Sequence, residues 1–318
     1  MTQTAPTTTA AFVMSGVDVS FGGIHALSDV GLEVPANQVL GVIGPNGAGK
    51  TTALRALMGL IRPDAGTITI FGRQVEAGSP ALSRLGAFVE GPGFLPHLSG
   101  RANLELYWQS IGRSAADPHL AEVLAIAGLG SAIDRKVRTY SRGMRQRLAI
   151  AQAMLGKPDL LVLDEPLNGL DPPQIREMRE VLIEYAASGR TVILSSHMLG
   201  EVEQTCTHVV VMQAGRRITA GPVAEIIGDG GALLIGTSRP AEAVSVLAAL
   251  PAIGGASEQQ DGVLVHPGGR TAPELVEALV RAGIPVERVA PSRRLEDAFL
   301  ALITPDGPVA PEPAEVTR

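Results

Sequence analysis

Residues 44–51 read Gly-Pro-Asn-Gly-Ala-Gly-Lys-Thr and carry the most specific chemistry in the chain. The apolar run Val39–Ile43 precedes them and Thr52-Ala-Leu-Arg-Ala-Leu-Met58 follows, so a buried strand is expected to turn abruptly into a helix. Gly44, Gly47 and Gly49, with Pro45, Asn46 and Ala48 between them, allow a tight curl whose N–H groups face an anion. The helix that begins around Thr51 and Thr52 adds the positive end of its dipole. Lys50 can reach the β- and γ-phosphates of a nucleotide, and the Thr51 hydroxyl can ligate Mg²⁺. A nucleoside triphosphate is the expected ligand.

Four further stretches lie downstream. Tyr140-Ser-Arg-Gly-Met-Arg-Gln-Arg147 opens a helical pattern. Leu160-Leu-Val-Leu163 reads as a buried strand ending in Asp164 and Glu165. At a strand's end both carboxylates can face the phosphates, one toward a metal and one toward water. Asn168-Gly-Leu-Asp171 follows, and Thr191–Leu194, another β-branched strand, runs into Ser195-Ser-His197.

Taken together, these residues resemble the ATP-binding cassette (ABC) ATPase family, in order and in spacing, over roughly residues 12–225. The resemblance implies ATP and Mg²⁺ as ligands and a role for each position. Asp164 would hold Mg²⁺, directly or through water. Glu165 would be the general base that orients the attacking water, a role worth about 10²–10⁴ in rate. His197 would bridge to the γ-phosphate. Phe21, in Ser-Phe-Gly-Gly, stands where the family keeps an aromatic ring over adenine, with packing in the core as the alternative. Asn168, Gly169, Leu170 and Asp171 form the D-loop.

The segment Ser141, Arg142, Gly143, Met144 occupies the position of the family signature. In the family this helix start caps the γ-phosphate held by a second subunit, so the resemblance implies a two-fold homodimer with two ATP sites. Loss of the γ-phosphate contact would then open the dimer. Three positions depart from the usual pattern. Tyr140, Arg142 and Met144 replace residues of Leu-Ser-Gly-Gly-Gln. Glu90 stands at the Q-loop glutamine, where a carboxylate can still ligate Mg²⁺. Asn168 replaces a Ser or Thr. Such variants resemble the ATPase subunits of type-two ABC exporters of the daunorubicin-resistance kind.

Composition is compatible with this reading. Hydrophobic residues make up 45% of the 318, yet no run approaches the ~18 needed to cross a bilayer. The Thr-rich start lacks the basic and apolar regions of a signal peptide. A single cysteine, Cys206, fits a reducing cytosol and reads as a small buried residue. A net charge of −6 leaves no electrostatic footprint for nucleic acid.

The elements that must position this chemistry form an α/β phosphate-loop core: a parallel sheet, an antiparallel β subdomain and a helical subdomain. Residues 1–10 are expected to be disordered, 11–225 to form the ATPase domain, and about 91–155 its helical subdomain. Within that subdomain, Gly91-Pro-Gly-Phe-Leu-Pro-His-Leu98 is an apolar loop. It either docks on a partner or tucks Phe94 and Leu95 beneath the helices. Residues 226–303 follow a βαββαβ order, the ferredoxin-like pattern, closed by a helix with Leu295, Phe299 and Ile303 on one side. The tail from Thr304 is expected to be disordered.

The expected function is the cytoplasmic ATPase subunit of a bacterial exporter, peripheral on the inner face of the membrane through a separate integral-membrane permease. Drug or antibiotic export is the first substrate class to consider. A soluble ABC ATPase of translation or repair, and a module that binds ATP without hydrolysing it, are the rival readings. One cassette, no sustained heptads and a complete set of Lys50, Asp164, Glu165 and His197 weigh against them.

Overall fold

The computed structural model describes residues 10–89, 91, 93–112, 119–228, 231–259 and 262–304. Two compact units divide between Gly221 and Pro222. The division precedes residue 225 because the short helix Val223–Ile227 packs on the C-terminal helix of the second unit.

In the first unit, β1 (Ala10–Phe21) and β2 (Ile24–Pro35) form a long antiparallel hairpin. Phe21 pairs with Ile24 across Gly22 and Gly23, both at positive φ, the backbone that a two-residue hairpin turn requires. Strand β1 begins at Ala10, paired with Pro35, one residue inside the segment expected to lack structure; residues 1–9 lie outside the described residues. Strands β4 (Ala65–Ile70) and β5 (Arg73–Gln74) complete a four-stranded sheet in the order β2-β1-β4-β5.

The second sheet positions the chemistry. It is built from β3 (Val39–Ile43), β6 (Leu85–Phe88), β7 (Leu160–Leu163), β8 (Thr191–Ser196), β9 (His208–Gln213) and β10 (Arg216–Pro222), in the order β10-β9-β3-β8-β7-β6. Strands β6, β7, β8, β3 and β9 pair in parallel. Every residue of β3, β7 and β8 is buried, as expected where a parallel sheet is covered on both faces. Helix α1 (Lys50–Leu57) buries Leu54 and Leu57 with Val42 of β3 and with Phe12 and Met14 of β1, which joins the two sheets in one core.

Helices α2 (Gly100–Ser110), α3 (His119–Ala127) and α4 (Arg142–Ala153) form the helical part. Trp108 and Leu148 are fully buried there. Helix α5 (Pro172–Ala187) follows the carboxylate turn and α6 (Leu199–Thr205) follows β8. Asp171 caps α5 reciprocally with Gln174.

In the second unit come α7 (Val223–Ile227), β11 (Leu233–Gly236), α8 (Pro240–Ala248), β12 (Gly255–Gln259), β13 (Gly262–His266), α9 (Ala272–Arg281), β14 (Arg288–Pro291) and α10 (Leu295–Ile303). All three strand pairings are antiparallel and the sheet order is β12-β13-β11-β14, the split βαβ arrangement. Helices α8 and α9 cover one face, burying Leu247, Leu275 and Leu279 on Ile235, Val263 and Val265. Thr304, the first residue of the expected disordered tail, still bonds back to Leu300 as the cap of α10; residues 305–318 lie outside the described residues.

So small a core is sensitive to a single cavity. Leu279→Ala should cost about 2–5 kcal/mol within the second unit. Amide exchange across residues 233–299 should accelerate while nucleotide affinity stays within about twofold. Unchanged exchange there would contradict this account of the core.

Candidate functional site

The loop after β3 closes on itself through Ala48 N–H donating to Pro45 O, leaving Pro45, Asn46 and Gly47 exposed at its rim. Gly49 has φ 96, and a Cβ there would lie 2.7 Å from Ala26 O, so the loop lies directly against β2. The same stretch of β2 approaches Gly215. Lys50 is buried, and its ammonium donates to Gly44 O at 2.7 Å and Pro45 O at 3.1 Å. Burial pushes its pKa down, against the pull of Glu165 and Asp164. Its charge is thus held at the centre of the loop by carbonyls and carboxylates, where a phosphate would meet it.

Parallel register brings the other groups to the same edge. Ile43 pairs with Ser196, and Leu163 with Leu194, so the segments after β3, β7 and β8 emerge together. Thr51 Oγ1 donates to Asp164 Oδ2 at 3.0 Å. Two hard oxygen ligands beside a phosphate cradle suit Mg²⁺, which is held by one or two protein oxygens plus substrate phosphates and waters. Among the described residues there is no cluster of three or more His, Cys, Asp or Glu of the kind a dedicated metal cage needs. Glu90, expected as a further ligand, lies outside the described residues.

Glu165 has φ 49, in the left-handed region, a conformation that costs a residue with a Cβ on the order of 1–2 kcal/mol. This bend swings its carboxylate away from the strand, to 2.7 Å from His197 Nδ1. A carboxylate only accepts, so Nδ1 carries the proton and Nε2 is left to face a ligand.

The signature lies at the start of α4. Ser141 Oγ accepts from Met144 N–H, while Ser141 and Arg142 are exposed. Gly143 packs against the D-loop, where an added Cβ would meet Gln174 Oε1 at 3.0 Å and Gly169 O at 3.3 Å. Gly169, at φ 86, lies beneath the Arg142 side chain. Between α4 and the carboxylate turn is a cleft of about 310 Å³ lined by Arg142, Arg145, Gln146, Asp164, Glu165 and Asn168.

Comparison with known proteins decides the family. The family model described as "ABC transporter" matches residues 27–168. The uncharacterized ABC transporter ATP-binding protein YdbJ of Bacillus subtilis (strain 168) is 37% identical over 303 residues, 92% of this chain and 94% of that protein. This chain belongs to the ABC transporter ATP-binding family. It is an ATPase. Because the first unit ends at Gly221, a 303-residue match extends into the second unit as well. The bacitracin transport ATP-binding protein BcrA of Bacillus licheniformis is 41% identical over 207 residues, 64% of this chain and 66% of that protein. A solved structure of the ATP-binding subunit of an ABC transporter is 29% identical with a TM-score of 0.63, covering 68% of this chain and 91% of that one.

In this ABC subunit Phe21 is 50% exposed at the hairpin tip, so the core-packing alternative is set aside. Two polar residues of the site escaped sequence reasoning. Ser195, fully buried at the end of β8, donates to Asp164 Oδ1 and accepts from Glu165 N–H at 2.9 Å. Gln146, also buried, donates from Nε2 to Glu165 O at 3.0 Å and to Pro166 O at 2.9 Å. The Ser195-Ser-His197 run gave a faint signal for the first, as two hydroxyls ending a strand have no apolar face to fill. Cys206 is buried and its thiol is pushed up by desolvation, an inert packing residue.

Ser195→Ala would leave the Glu165 N–H without its partner. The expected loss is about 1–3 kcal/mol, read from the urea midpoint of the first unit. A midpoint equal to wild type would mean that this bond contributes nothing net.

Proposed function

We propose that this chain is the ATP-hydrolysing subunit of a bacterial ABC exporter, working as a homodimer beneath a separate integral-membrane permease on the inner face of the membrane. The observation that carries the catalytic part is the Glu165–His197 pair, held beside Lys50, Thr51 and Asp164 on one sheet edge. Glu165 acts as the general base on the attacking water. His197, oriented through Nδ1, offers Nε2 to the γ-phosphate side. Lys50 and backbone N–H groups of the loop and of the start of α1 hold the phosphates, and Phe21 stacks on the adenine. Thr51 and Asp164 would hold Mg²⁺, which when bound offsets charge on the β- and γ-phosphates.

Ser141 and Gly143 act on the nucleotide of the partner subunit. Support comes from the exposure of Ser141 and Arg142 at a capped helix N-terminus, a favourable end for an anion. Export as the direction of transport is supported by the Nod factor export ATP-binding protein I of Cupriavidus metallidurans, which is 37% identical over 222 residues, 69% of this chain and 73% of that protein. Among substrate classes, drug or antibiotic export fits the BcrA likeness. No helix among the described residues is long and apolar enough to cross a membrane.

Glu165→Gln is the direct test. The neutral amide keeps the site's shape, so ATP binding should persist while turnover falls by about 10²-fold or more. Trapped ATP should then shift the protein to a dimer in size exclusion. Turnover at the wild-type rate would remove Glu165 from the base role, and a rival reading without hydrolysis gains if wild type itself is inert.

The loop before α2 is the proposed permease contact. Asn103 fixes it by accepting from Leu95 N–H at 2.8 Å and donating to Leu95 O at 3.1 Å, yet the Leu95 side chain remains 40% exposed and Phe94 half-buried. Leu106, Tyr107 and Ile111 on the following helix and its cap are exposed as well. Replacing Phe94 and Leu95 by Ser should abolish co-purification with the permease and leave ATP binding intact. Undiminished co-purification would reject this surface, whereas a subunit that no longer folds would return both residues to a packing role.

A further inference from the structure

Glu165 sits in a backbone conformation that its own side chain does not favour, and both flanking peptide groups are tied down from different elements. Ser195 of β8 accepts its N–H, and Gln146 of α4 donates to its carbonyl and to that of Pro166. Gln146 is the more informative tie. Its side chain is buried, in a setting where an apolar residue is the usual occupant. A two-pronged donor there serves the carbonyls of the carboxylate turn. The helix that carries Gln146 begins at Ser141, one and a half turns earlier.

We infer that Gln146 is a positioning residue for the ATPase reaction: it holds the turn at Glu165 and Pro166 so that the Glu165 carboxylate stays on His197, and it ties that turn to the signature helix. The inference rests on the reading of Glu165 as the base. Gln146 touches no substrate atom in this scheme; it acts through the backbone carbonyl of Glu165. Arg142 and Arg145 on α4, with Asp164 and Glu165 on the opposite wall, line the same cleft. An uncharged replacement therefore leaves the local charge balance as it stands.

The test uses the full chain with Gln146→Met, which preserves length and removes the donor. Steady-state hydrolysis should show kcat reduced about tenfold or more with KM for ATP within about twofold of wild type. In the Glu165→Gln background, Gln146→Met should leave ATP affinity and the ATP-driven dimer within about twofold, because the turn then has no base to aim. Gln146→Leu also removes the donor and adds no charge, and the same loss of kcat is expected there. Wild-type kcat in either variant overturns the inference. Loss of the ATP-driven dimer in the double variant also overturns it, since that would assign Gln146 to the packing of the signature helix. If instead Glu165→Gln alone turns over ATP normally, the base reading fails by itself, whatever the Gln146 variants do.

Discussion

Parallel pairing of β3 with β8, and of β8 with β7, places the ends of three buried strands at one level, and the chemistry of the molecule hangs on that register. Ile43 opposite Ser196 and Leu163 opposite Leu194 fix where the phosphate loop, the carboxylates and His197 can meet. A slip by one residue would turn every side chain of a strand to the other face of the sheet. Because β3, β7 and β8 are buried throughout, such a slip would also disturb a core packed from both sides. Two hydrogen bonds then exploit the alignment. Thr51 reaches Asp164 from the first turn of α1, and Ser195 reaches Asp164 from the end of β8. Asp164 is thus pinned at both oxygens from two elements, α1 and β8, which fixes the orientation of its carboxylate.

The eight residues from Asp164 to Asp171 serve two neighbourhoods at once. At the start, Asp164 and Glu165 face the phosphate loop and His197. In the middle, Gly169 and Leu170 pack against Gly143 of the signature. At the end, Asp171 caps α5 and anchors the segment to a sixteen-residue helix. The segment achieves this with two left-handed residues, Glu165 and Gly169. Glycine adopts that conformation freely, whereas glutamate needs its neighbours to hold it. The bonds from Ser195 and Gln146 supply that restraint.

Much of this was legible in the sequence, and the reasons are local. The phosphate loop needs glycines and a lysine at fixed spacing between a strand and a helix, and each of those requirements is written in consecutive residues. The buried strands of the parallel sheet are short apolar runs, and the βαββαβ order of the second unit follows from alternating period. Other features were hidden because they depend on what lies far away in the chain. Ser195 and Gln146 meet Asp164 and Glu165 across 31 and 19 residues respectively. Their side chains do not differ from the many serines and glutamines that simply face water. Phe21 was ambiguous for the same reason, since only the pairing with Ile24 across a glycine turn shows that it projects from the tip. The unit boundary moved to Gly221 because α7 packs on α10, some seventy residues later.

The packing of signature on D-loop bears on how two sites could be linked. Gly143 admits no Cβ without pressing on Gln174 and Gly169, and Arg142 covers Gly169 so closely that a side chain there would collide with it. Packed surfaces of this kind do not deform smoothly; they move together or repack. A displacement of the N-terminus of α4 would therefore carry the D-loop with it, and through Gln146 would carry the carbonyl of Glu165. In the proposed dimer the end of α4 faces the partner's nucleotide while Glu165 faces this chain's own. Occupancy of one site would then alter the aim of the base in the other, with no path needed beyond one helix and one turn. Such a link is energetic only if the turn has two arrangements that the partner's nucleotide distinguishes. The left-handed backbone at Glu165, held by its ties to Ser195 and Gln146, is where such a second arrangement would have to arise.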